Sequence, residues 1–232
     1  MSSTNKKKAY VYKMKIGPAN IFSIFIFFVM VFITLVLGHE VYPYEANVFF
    51  LFLLLIGYLF LHELLHGVGY ILGGCDRKNI KYGLALEKGI LYCMAYQEVS
   101  KKNILLSLQM PFTLIGVITY IIGLIINSKI LVFLSILNIM GAAMDIVMFL
   151  YILKLDKDVI YSEVDAPDKF VLISKEDLSK KKSLFFEVVE VKDYNKKDYL
   201  NKIDKRFDCT KKSFIILLIF VIVGFLESLI IN

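Results

Sequence analysis

One short stretch of the chain combines residue types that bind metal and move protons. It reads His62-Glu63-Leu64-Leu65-His66. Residues four apart lie above one another on the same face of a helix, so both imidazoles can bind one zinc ion there. Glu63, beside them, is the residue type that accepts a proton from a water molecule at such an ion. The stretch therefore predicts a zinc site with catalytic potential.

The composition places this stretch in a membrane protein. The 232-residue chain is 58% hydrophobic and has a mean hydropathy of +0.67, whereas soluble domains are about 45–50% apolar. An apolar run from Val48 to Ile56 leads towards the histidines. The basic residues behind the net charge of +6 are concentrated in particular loops, which is a signal of membrane topology. We therefore expect the lipid bilayer, and no nucleic acid, as a partner.

The hydropathy pattern predicts an all-α membrane fold with about five transmembrane helices. Each predicted span has about 20 mostly apolar residues, which matches the thickness of the hydrocarbon core. The spans are expected at residues 19–38, 47–72, 104–126, 130–153 and 214–231. The first could instead be a cleaved signal peptide. Its apolar core is longer than signal peptides usually have, which favours an uncleaved anchor.

The remaining units follow from these spans. Residues 1–18 are a basic N-terminus, and residues 19–153 are a four-helix transmembrane catalytic core. Within the core, residues 75–102 contain two β-prone runs, which predict a β-hairpin at the membrane boundary. Residues 154–212 predict a small cytoplasmic α/β segment, and residues 213–232 contain the fifth transmembrane helix.

Lysines and arginines define the orientation of the chain. With the N-terminus inside, the predicted cytoplasmic segments hold 26 of the 27 basic residues, and only Lys129 lies outside. This asymmetry follows the positive-inside rule. It predicts a multi-pass protein of the cell membrane with a cytoplasmic N-terminus and an external C-terminus. Cys75, Cys93 and Cys209 then lie on the reducing side or at its boundary, where thiols are expected rather than disulfides.

Asp145 is the residue that best completes the zinc site. It is the one ionisable residue in the third and fourth predicted spans, and an ionisable residue at bilayer depth is a candidate for function. His66 and Asp145 lie roughly 9–12 Å from the cytoplasmic ends of their spans. No basic residue inside a predicted span can pair with Asp145, which leaves a metal as its counter-charge. We expect His62, His66 and Asp145 to be three ligands, with a fourth position open to water.

Asn138 is a further candidate on the fourth span. It lies seven residues before Asp145 and so on the same helix face, with the small residues Gly141 and Ala142 between them. Its amide either holds a substrate carbonyl as a catalytic group or forms an ordinary interhelical hydrogen bond.

Other titratable residues are weaker candidates. His39, Glu40 and Glu45 lie at the predicted outer face, so we expect them to be solvated. Asp76 and Glu98 lie in the cytoplasmic loop and are weaker substitutes for Asp145.

Two longer motifs surround these candidates. They are His62-Glu63-Leu64-Leu65-His66-Gly67 and Asn138-Ile139-Met140-Gly141-Ala142-Ala143-Met144-Asp145-Ile146, followed by Val164-Asp165-Ala166-Pro167. Over roughly residues 45–175 the chain resembles the DUF3267 zincin-like membrane peptidases, distant relatives of the site-two protease (M50) class. The resemblance implies zinc-dependent hydrolysis of peptide bonds in or near the membrane. It also implies that strands following the histidines line up the substrate at the membrane boundary.

The predicted function is that of a zinc-dependent integral membrane metalloprotease acting on a membrane protein or peptide. Zinc on His62, His66 and Asp145 would lower the pKa of its bound water. Glu63 would accept the proton as general base and return it to the leaving amine. Two alternatives stay open, a catalytically inactive scaffold and a non-proteolytic zinc-binding protein such as a sensor or transporter. The spans contain few other polar residues that could line a pathway for a transported solute, which argues against a transporter.

Overall fold

The computed structural model describes residues 7–44, 46–85, 90–164, 168–181, 183–191 and 194–195. Its helices and strands are, in chain order, β1 (Lys8–Met14), α1 (Ile16–Val36), α2 (Val48–Leu72), β2 (Ile80–Ala85), β3 (Ile90–Ala95), β4 (Val99–Ser100), α3 (Lys101–Pro111), α4 (Thr119–Ile125), α5 (Lys129–Gly141), α6 (Ala143–Leu153), β5 (Ile160–Glu163), β6 (Lys169–Ser174) and β7 (Phe186–Val191). A π-helical segment, Phe112–Ile118, joins α3 to α4. Short 3₁₀ turns lie at Arg77–Asn79 and Leu178–Lys180.

Among the described residues, three helices are long and apolar enough to cross a membrane: α1, α2 and the continuous helix Lys101–Ile125. Helices α5 and α6 form a fourth candidate as a pair bent by 50°. The predicted all-α fold with about five transmembrane helices is wrong. In the described part of the chain, a five-stranded antiparallel sheet and a two-stranded sheet accompany these helices. The predicted fifth span, residues 214–231, lies outside the described residues.

The larger sheet is built from both ends of the described chain, in the order β4-β5-β6-β1-β7. Strand β1 lies between β6 and β7, so residues predicted as a basic tail pair on both sides. Side chains alternate between the two faces of β1, so Tyr10 and Tyr12 point to the same face, and both are fully buried. The lysines of this segment make the alternation hard to recognise in the sequence. A hydropathy profile cannot reveal this pairing, because the partner strands, which begin at Lys169, are far from β1 in the sequence.

This sheet packs against one end of the helical bundle. Tyr12 stacks on Phe170 with ring centroids 5.0 Å apart, and its hydroxyl lies 3.0 Å from that of Tyr151 on α6. Ile104 of α3 and Ile152 of α6 belong to the same buried cluster. The described residues of the predicted α/β segment, 154–212, contain strands and a 3₁₀ turn but no α-helix. The sheet thus closes one end of the helical bundle.

Strands β2 and β3 form the two-stranded sheet, with Tyr82 opposite Cys93. Strand β3 packs beside α2, the helix that carries the two histidines. The turn between the two strands, residues 86–89, lies outside the described residues. A β-sheet edge therefore lies next to the candidate zinc motif.

Helix α2 is bounded by capping residues at both ends. The side chain of Asn47 accepts hydrogen bonds from the backbone N–H groups of Phe49 and Phe50, which satisfies two of the unpaired donors at the start of the helix. Gly74, just after its other end, has a φ of +99°. Glycine adopts this left-handed conformation without the steric cost that other residues incur, so the chain turns here.

Candidate metal centre

His62, His66 and Asp145 come together in the interior of the helical bundle. The Nε2 atoms of the two histidines are 3.1 Å apart. Asp145 Oδ2 lies 3.2 Å from His62 Nε2 and 3.5 Å from His66 Nε2. Among the described residues, it is the one group of three or more His, Cys, Asp or Glu side chains whose possible ligand atoms all lie within 4.8 Å of one another.

The triangle fits one tetrahedral metal ion. Bonds of about 2.0–2.1 Å from zinc to nitrogen or oxygen place neighbouring tetrahedral ligands about 3.3–3.4 Å apart. The three observed separations, 3.1, 3.2 and 3.5 Å, lie around this value. Two nitrogens and one carboxylate oxygen are also ligands that zinc accepts. The group can therefore hold a metal with a fourth position left for water or substrate.

The orientation of His62 is fixed by Asn138. His62 Nδ1 lies 2.9 Å from the amide oxygen of Asn138 on α5, so this nitrogen donates and must carry the proton. In the neutral ring, Nε2 then presents a lone pair to the centre of the triangle. The amide nitrogen of Asn138 donates in turn to the backbone carbonyl of Pro111, at 3.3 Å. Both ends of the Asn138 amide are thus engaged by protein groups.

His66 is oriented in the same way by a backbone carbonyl. Its Nδ1 donates to the carbonyl oxygen of Ser107 on α3, at 2.9 Å. In an α-helix this carbonyl would accept from the backbone N–H four residues later. That residue is Pro111, which has no N–H. The proline therefore leaves the Ser107 carbonyl to His66.

With both Nδ1 atoms as donors, three acceptors face one another. Two imidazole lone pairs and a carboxylate oxygen lie within 3.5 Å with no proton among them in the neutral rings. Such a group repels itself unless a proton or a metal ion lies between its members. Ligating histidines in proteins usually donate their other ring N–H to an oxygen in this way. The hydrogen bonds around the triangle therefore favour a metal at its centre.

Close contact between α2 and α3 brings the Ser107 carbonyl within reach of His66. A Cβ atom on Gly69 would lie 2.5 Å from Ser107 Cα, and one on Gly73 would lie 2.6 Å from Asn103 Cα. Small residues at this four-residue spacing let helix backbones approach closely in membranes. The Ser107 hydroxyl adds a second bond between the helices by donating to the His66 carbonyl, at 3.0 Å.

Asp145 reaches the histidines because the helix breaks just before it. Helix α5 ends at Gly141 and α6 begins at Ala143, with fully buried Ala142 between them. Asp145 lies in the first turn of α6, where the helix dipole favours a negative charge. Its side chain is 20% exposed, and those of His62 and His66 are 12% and 10% exposed. The site is therefore shielded but not sealed.

Glu63 lines a cavity of about 160 Å³ together with His66 and Asp145. The backbone N–H of Cys93, on strand β3, points at the Glu63 carboxylate. Glu63 therefore shares a space with two metal-ligand candidates and with the neighbouring strand.

The weaker candidates do not join the metal group. Glu40 forms an exposed ion pair with Lys129, at 2.7 Å, and Asp76 forms one with Lys78, at 2.9 Å. His39 and Glu98 also lie outside the group. Glu45 and residues 165–167 of the Val164-Asp165-Ala166-Pro167 motif lie outside the described residues.

The sequence analysis did not single out Ser107, Pro111 or three further polar residues that line the cavity, Tyr70, Tyr161 and Glu163. Two of these carried a usable signal. Tyr70 follows His66 by four residues and so shares its helix face. Pro111 stands inside an apolar span, where it frees a backbone acceptor.

Residues 55–160 match the family DUF3267, which is described as "Putative zincin peptidase". The matched range includes both histidines, Glu63, Asn138 and Asp145. The match confirms the predicted resemblance to DUF3267. No curated protein and no solved structure gives a significant match to the chain.

Proposed function

We propose that this chain, which matches the DUF3267 zincin peptidases over residues 55–160, is a zinc-dependent membrane metallopeptidase. The observation that carries the proposal is the triangle of His62, His66 and Asp145, with both histidines held by acceptors on Nδ1. Three apolar helices long enough to cross a bilayer support a location in a membrane. The substrate is then a membrane protein or peptide.

The chain's own residues supply positioning and proton transfer. Zinc, when bound by His62, His66 and Asp145, would polarise the substrate carbonyl and acidify a water molecule at the open position. Glu63 accepts the proton of the attacking water on its carboxylate and later delivers it to the nitrogen of the leaving amine. Asn138 and the Ser107 carbonyl hold the two imidazoles in the ligating tautomer. We assign Asn138 a positioning role because both ends of its amide are engaged by protein groups.

The hairpin β2–β3 supplies a means to present the substrate. A helical segment shields its own peptide bonds, so a membrane substrate must unwind before cleavage. In the described residues β3 pairs with β2 alone, and Leu91 of β3 lines the cavity of Glu63. An extended substrate segment can add to such a sheet as a further strand. We propose that the substrate pairs here while its scissile bond lies at the metal.

We also propose that the larger sheet lies in the cytoplasm, with the N-terminus inside the cell. Strand β1 and strands β5 to β7 share one sheet, so the N-terminal segment and residues 160–191 must lie on the same side of the membrane. Both segments are rich in lysine, as the positive-inside rule expects of cytoplasmic segments. An external C-terminus would require residues 213–232 to cross the membrane once more.

Replacement of Glu63 by glutamine tests the function. We expect purified Glu63→Gln protein to bind one zinc ion like the wild type and to lose at least about 100-fold in cleavage rate, because general bases contribute roughly 10²–10⁴-fold. The assay compares zinc content by mass spectrometry and the membrane proteomes of cells that carry either form. Glu187→Gln, an exposed residue of β7, is the control.

Three outcomes separate this proposal from its alternatives. Cleavage by Glu63→Gln at the wild-type rate would remove Glu63 from the mechanism. Absence of zinc from the wild type would favour a scaffold. Bound zinc with identical membrane proteomes would favour a sensor or transporter.

A further inference from the structure

A second cavity, of about 280 Å³, borders the metal site between α2 and α5. His62 and Glu63 line it, and so does Asn138, whose amide holds His62. One of the candidate metal ligands is therefore part of its wall. A group that fills this cavity lies directly beside the metal site.

The two cavities at the site extend in opposite directions along α2. Leu55 and His62, seven residues apart on one face of the helix, both line the second cavity, which therefore spans roughly 10 Å of α2 on the side nearer its start. His66 and Tyr70, in the turns that follow, line the cavity of about 160 Å³. Glu63 lines both cavities. The proposed general base thus lies where they meet.

The cavities differ in the side chains that line them. The one that His66 lines includes hydroxyl and charged groups beside its apolar residues, among them Ser107, Tyr161 and Asp168. Apart from the three residues of the metal site, the described lining of the second cavity consists of leucines, Tyr58 and Gly141. The leucines are Leu55, Leu59, Leu91, Leu134 and Leu137. We call this second cavity the leucine cavity. Its lining favours apolar groups, because a charged group buried there would lose its hydration.

The leucine cavity has room for a bulky side chain. About 150 Å³ of apolar space is enough to bind a benzene molecule, and the leucine cavity has about 280 Å³. Leu59, which lines it, is 49% exposed, so the cavity reaches the outer surface of the helical bundle. On a helix that crosses a membrane this surface meets lipid, where an apolar substrate segment lies.

We propose that the leucine cavity is a subsite for a large apolar side chain, leucine or phenylalanine, on one of the two residues that flank the scissile bond; this rests on the proposed peptidase function. Consecutive residues of an extended chain advance by only about 3.3 Å. A side chain that contacts His62 and Glu63 therefore belongs to a residue next to the bond at the metal. Substrates of this class have a large apolar residue at the cleaved bond, in preference to a small or polar one.

Gly141 offers a way to fill the subsite. It lines the leucine cavity, and a Cβ added to it would meet no atom within 4 Å. A larger side chain at this position should therefore occupy space that the substrate would use. Gly57 of α2 is the matched control, because an added Cβ there also meets nothing within 4 Å and Gly57 lies outside the described lining of the cavity.

Quenched fluorescent peptides with leucine, alanine or asparagine at each position flanking the cleaved bond test the subsite. We expect the zinc-loaded wild type to cleave the best leucine peptide about 10–100-fold more efficiently than its alanine counterpart, because burial of a leucine side chain contributes by that factor. The asparagine peptide, similar in size to the leucine peptide but polar, should be cleaved no better than the alanine peptide. In Gly141→Leu the preference for leucine should disappear, whereas Gly57→Leu should keep it.

The ratio between peptides separates recognition from a disturbance of the whole site. If Gly141→Leu only disturbed the site, cleavage of all three peptides would fall by the same factor, and that unchanged ratio would overturn the subsite. Gly141→Ala adds a single methyl group and gives a graded check. Its preference for leucine should lie between those of the wild type and Gly141→Leu.

Photo-crosslinking locates the side chain without catalysis. A peptide with a photoactivatable leucine at the preferred position is bound to Glu63→Gln protein, and mass spectrometry identifies the labelled residues. We expect labels within residues 55–59 of α2 and 134–137 of α5, and their loss when Gly141→Leu is added. Labels confined to strands β5 and β6 would refute the subsite.

Two further outcomes are decisive. Labelling of the same α2 and α5 residues by a photoactivatable phospholipid, undiminished by excess peptide, would make the cavity a lipid site and overturn the proposal. Cleavage of no peptide by the wild type, combined with the expected peptide labels, would refute the peptidase function and leave the subsite standing.

Discussion

His62 and His66 are oriented by oxygen atoms of two different kinds. His62 uses a side-chain amide on α5, and His66 uses a backbone carbonyl on α3. Both hydrogen bonds place the proton on Nδ1 and leave Nε2 for the metal. Affinity for a metal at this site should therefore depend on residues that do not contact the metal.

Replacing Asn138 by leucine should weaken zinc binding by roughly 10–100-fold, as changes around metal ligands usually do. Leucine has a similar volume but offers His62 no acceptor, so the ring is free to rotate or to change tautomer. Competition with a chromophoric zinc chelator measures the affinity. Ser135→Ala is the matched control, because Ser135 is also buried on α5 but bonds to Thr119 instead of the site. Equal affinity in Asn138→Leu and Ser135→Ala would show that Asn138 does not position His62.

For individual residues, the sequence indicates which side chains can bind the metal, but not which backbone groups accept their hydrogen bonds. The spacing of His62 and His66 and the depth of Asp145 predict three residues that the structure does bring together. The Ser107 carbonyl could not be predicted directly, because every residue carries the same group. Only the proline four residues later marks it as available.

Helices α2 and α3 position the site through one close crossing. At Gly69 and Gly73 the backbones are near enough that added methyl groups would overlap α3. The hydrogen bonds between His66 and Ser107 both lie at this crossing. Helix separation and histidine geometry are therefore coupled.

Gly69→Ala should destabilise the protein by about 1–3 kcal/mol, the usual cost of overpacking. The new methyl group pushes against the Ser107 backbone, which has little freedom to yield, and so moves the acceptor of His66 away. Thermal unfolding in detergent and zinc affinity should both decrease. Gly57→Ala is the control on the same helix, since a Cβ there meets nothing within 4 Å. An unchanged zinc affinity in Gly69→Ala would separate the crossing from the metal site.

Hydropathy locates apolar stretches but not their breaks. Residues 130–153 look like one span because both α5 and α6 are apolar, yet the pair bends by 50°. Strand β1 could not be predicted for a different reason, since the lysines near its two ends suggest a soluble tail and its partner strands are distant in sequence. Short strands that pair over such distances have no local signature.

Strand β1 joins the segment before the helices to the strands that follow them, β6 and β7. Met14 of β1 bonds to the Asp168 carbonyl, and Lys15 bonds to that of Phe185, just before α1 begins. The same strand buries Tyr10 and Tyr12 against the helix ends. The sheet and the helical bundle are therefore parts of one packed unit.

Tyr12→Ala should destabilise the protein by about 3–5 kcal/mol, because it removes a fully buried aromatic ring. Tyr12→Phe keeps the ring and loses only the hydroxyl contact with Tyr151, so a cost of about 0.5–1.5 kcal/mol is expected. Chemical denaturation and limited proteolysis of the sheet measure both variants. Similar losses in the two would mean that the hydroxyl, and not the packing of the ring, anchors the sheet.

The position of β1 also sets the order in which the molecule can be completed during synthesis. Strand β1 is synthesised before the helices, but its two neighbours, β6 and β7, are synthesised only after the helices from α1 to α6. Until then β1 lacks the partner strands β6 and β7, and Tyr161 and Glu163 have not yet been added to the cavity that His66 lines. A nascent chain can thus contain its metal ligands before it has the enclosure in which a substrate would be held. The cavity beside the metal ligands is therefore complete only after β5 and β6 have been synthesised.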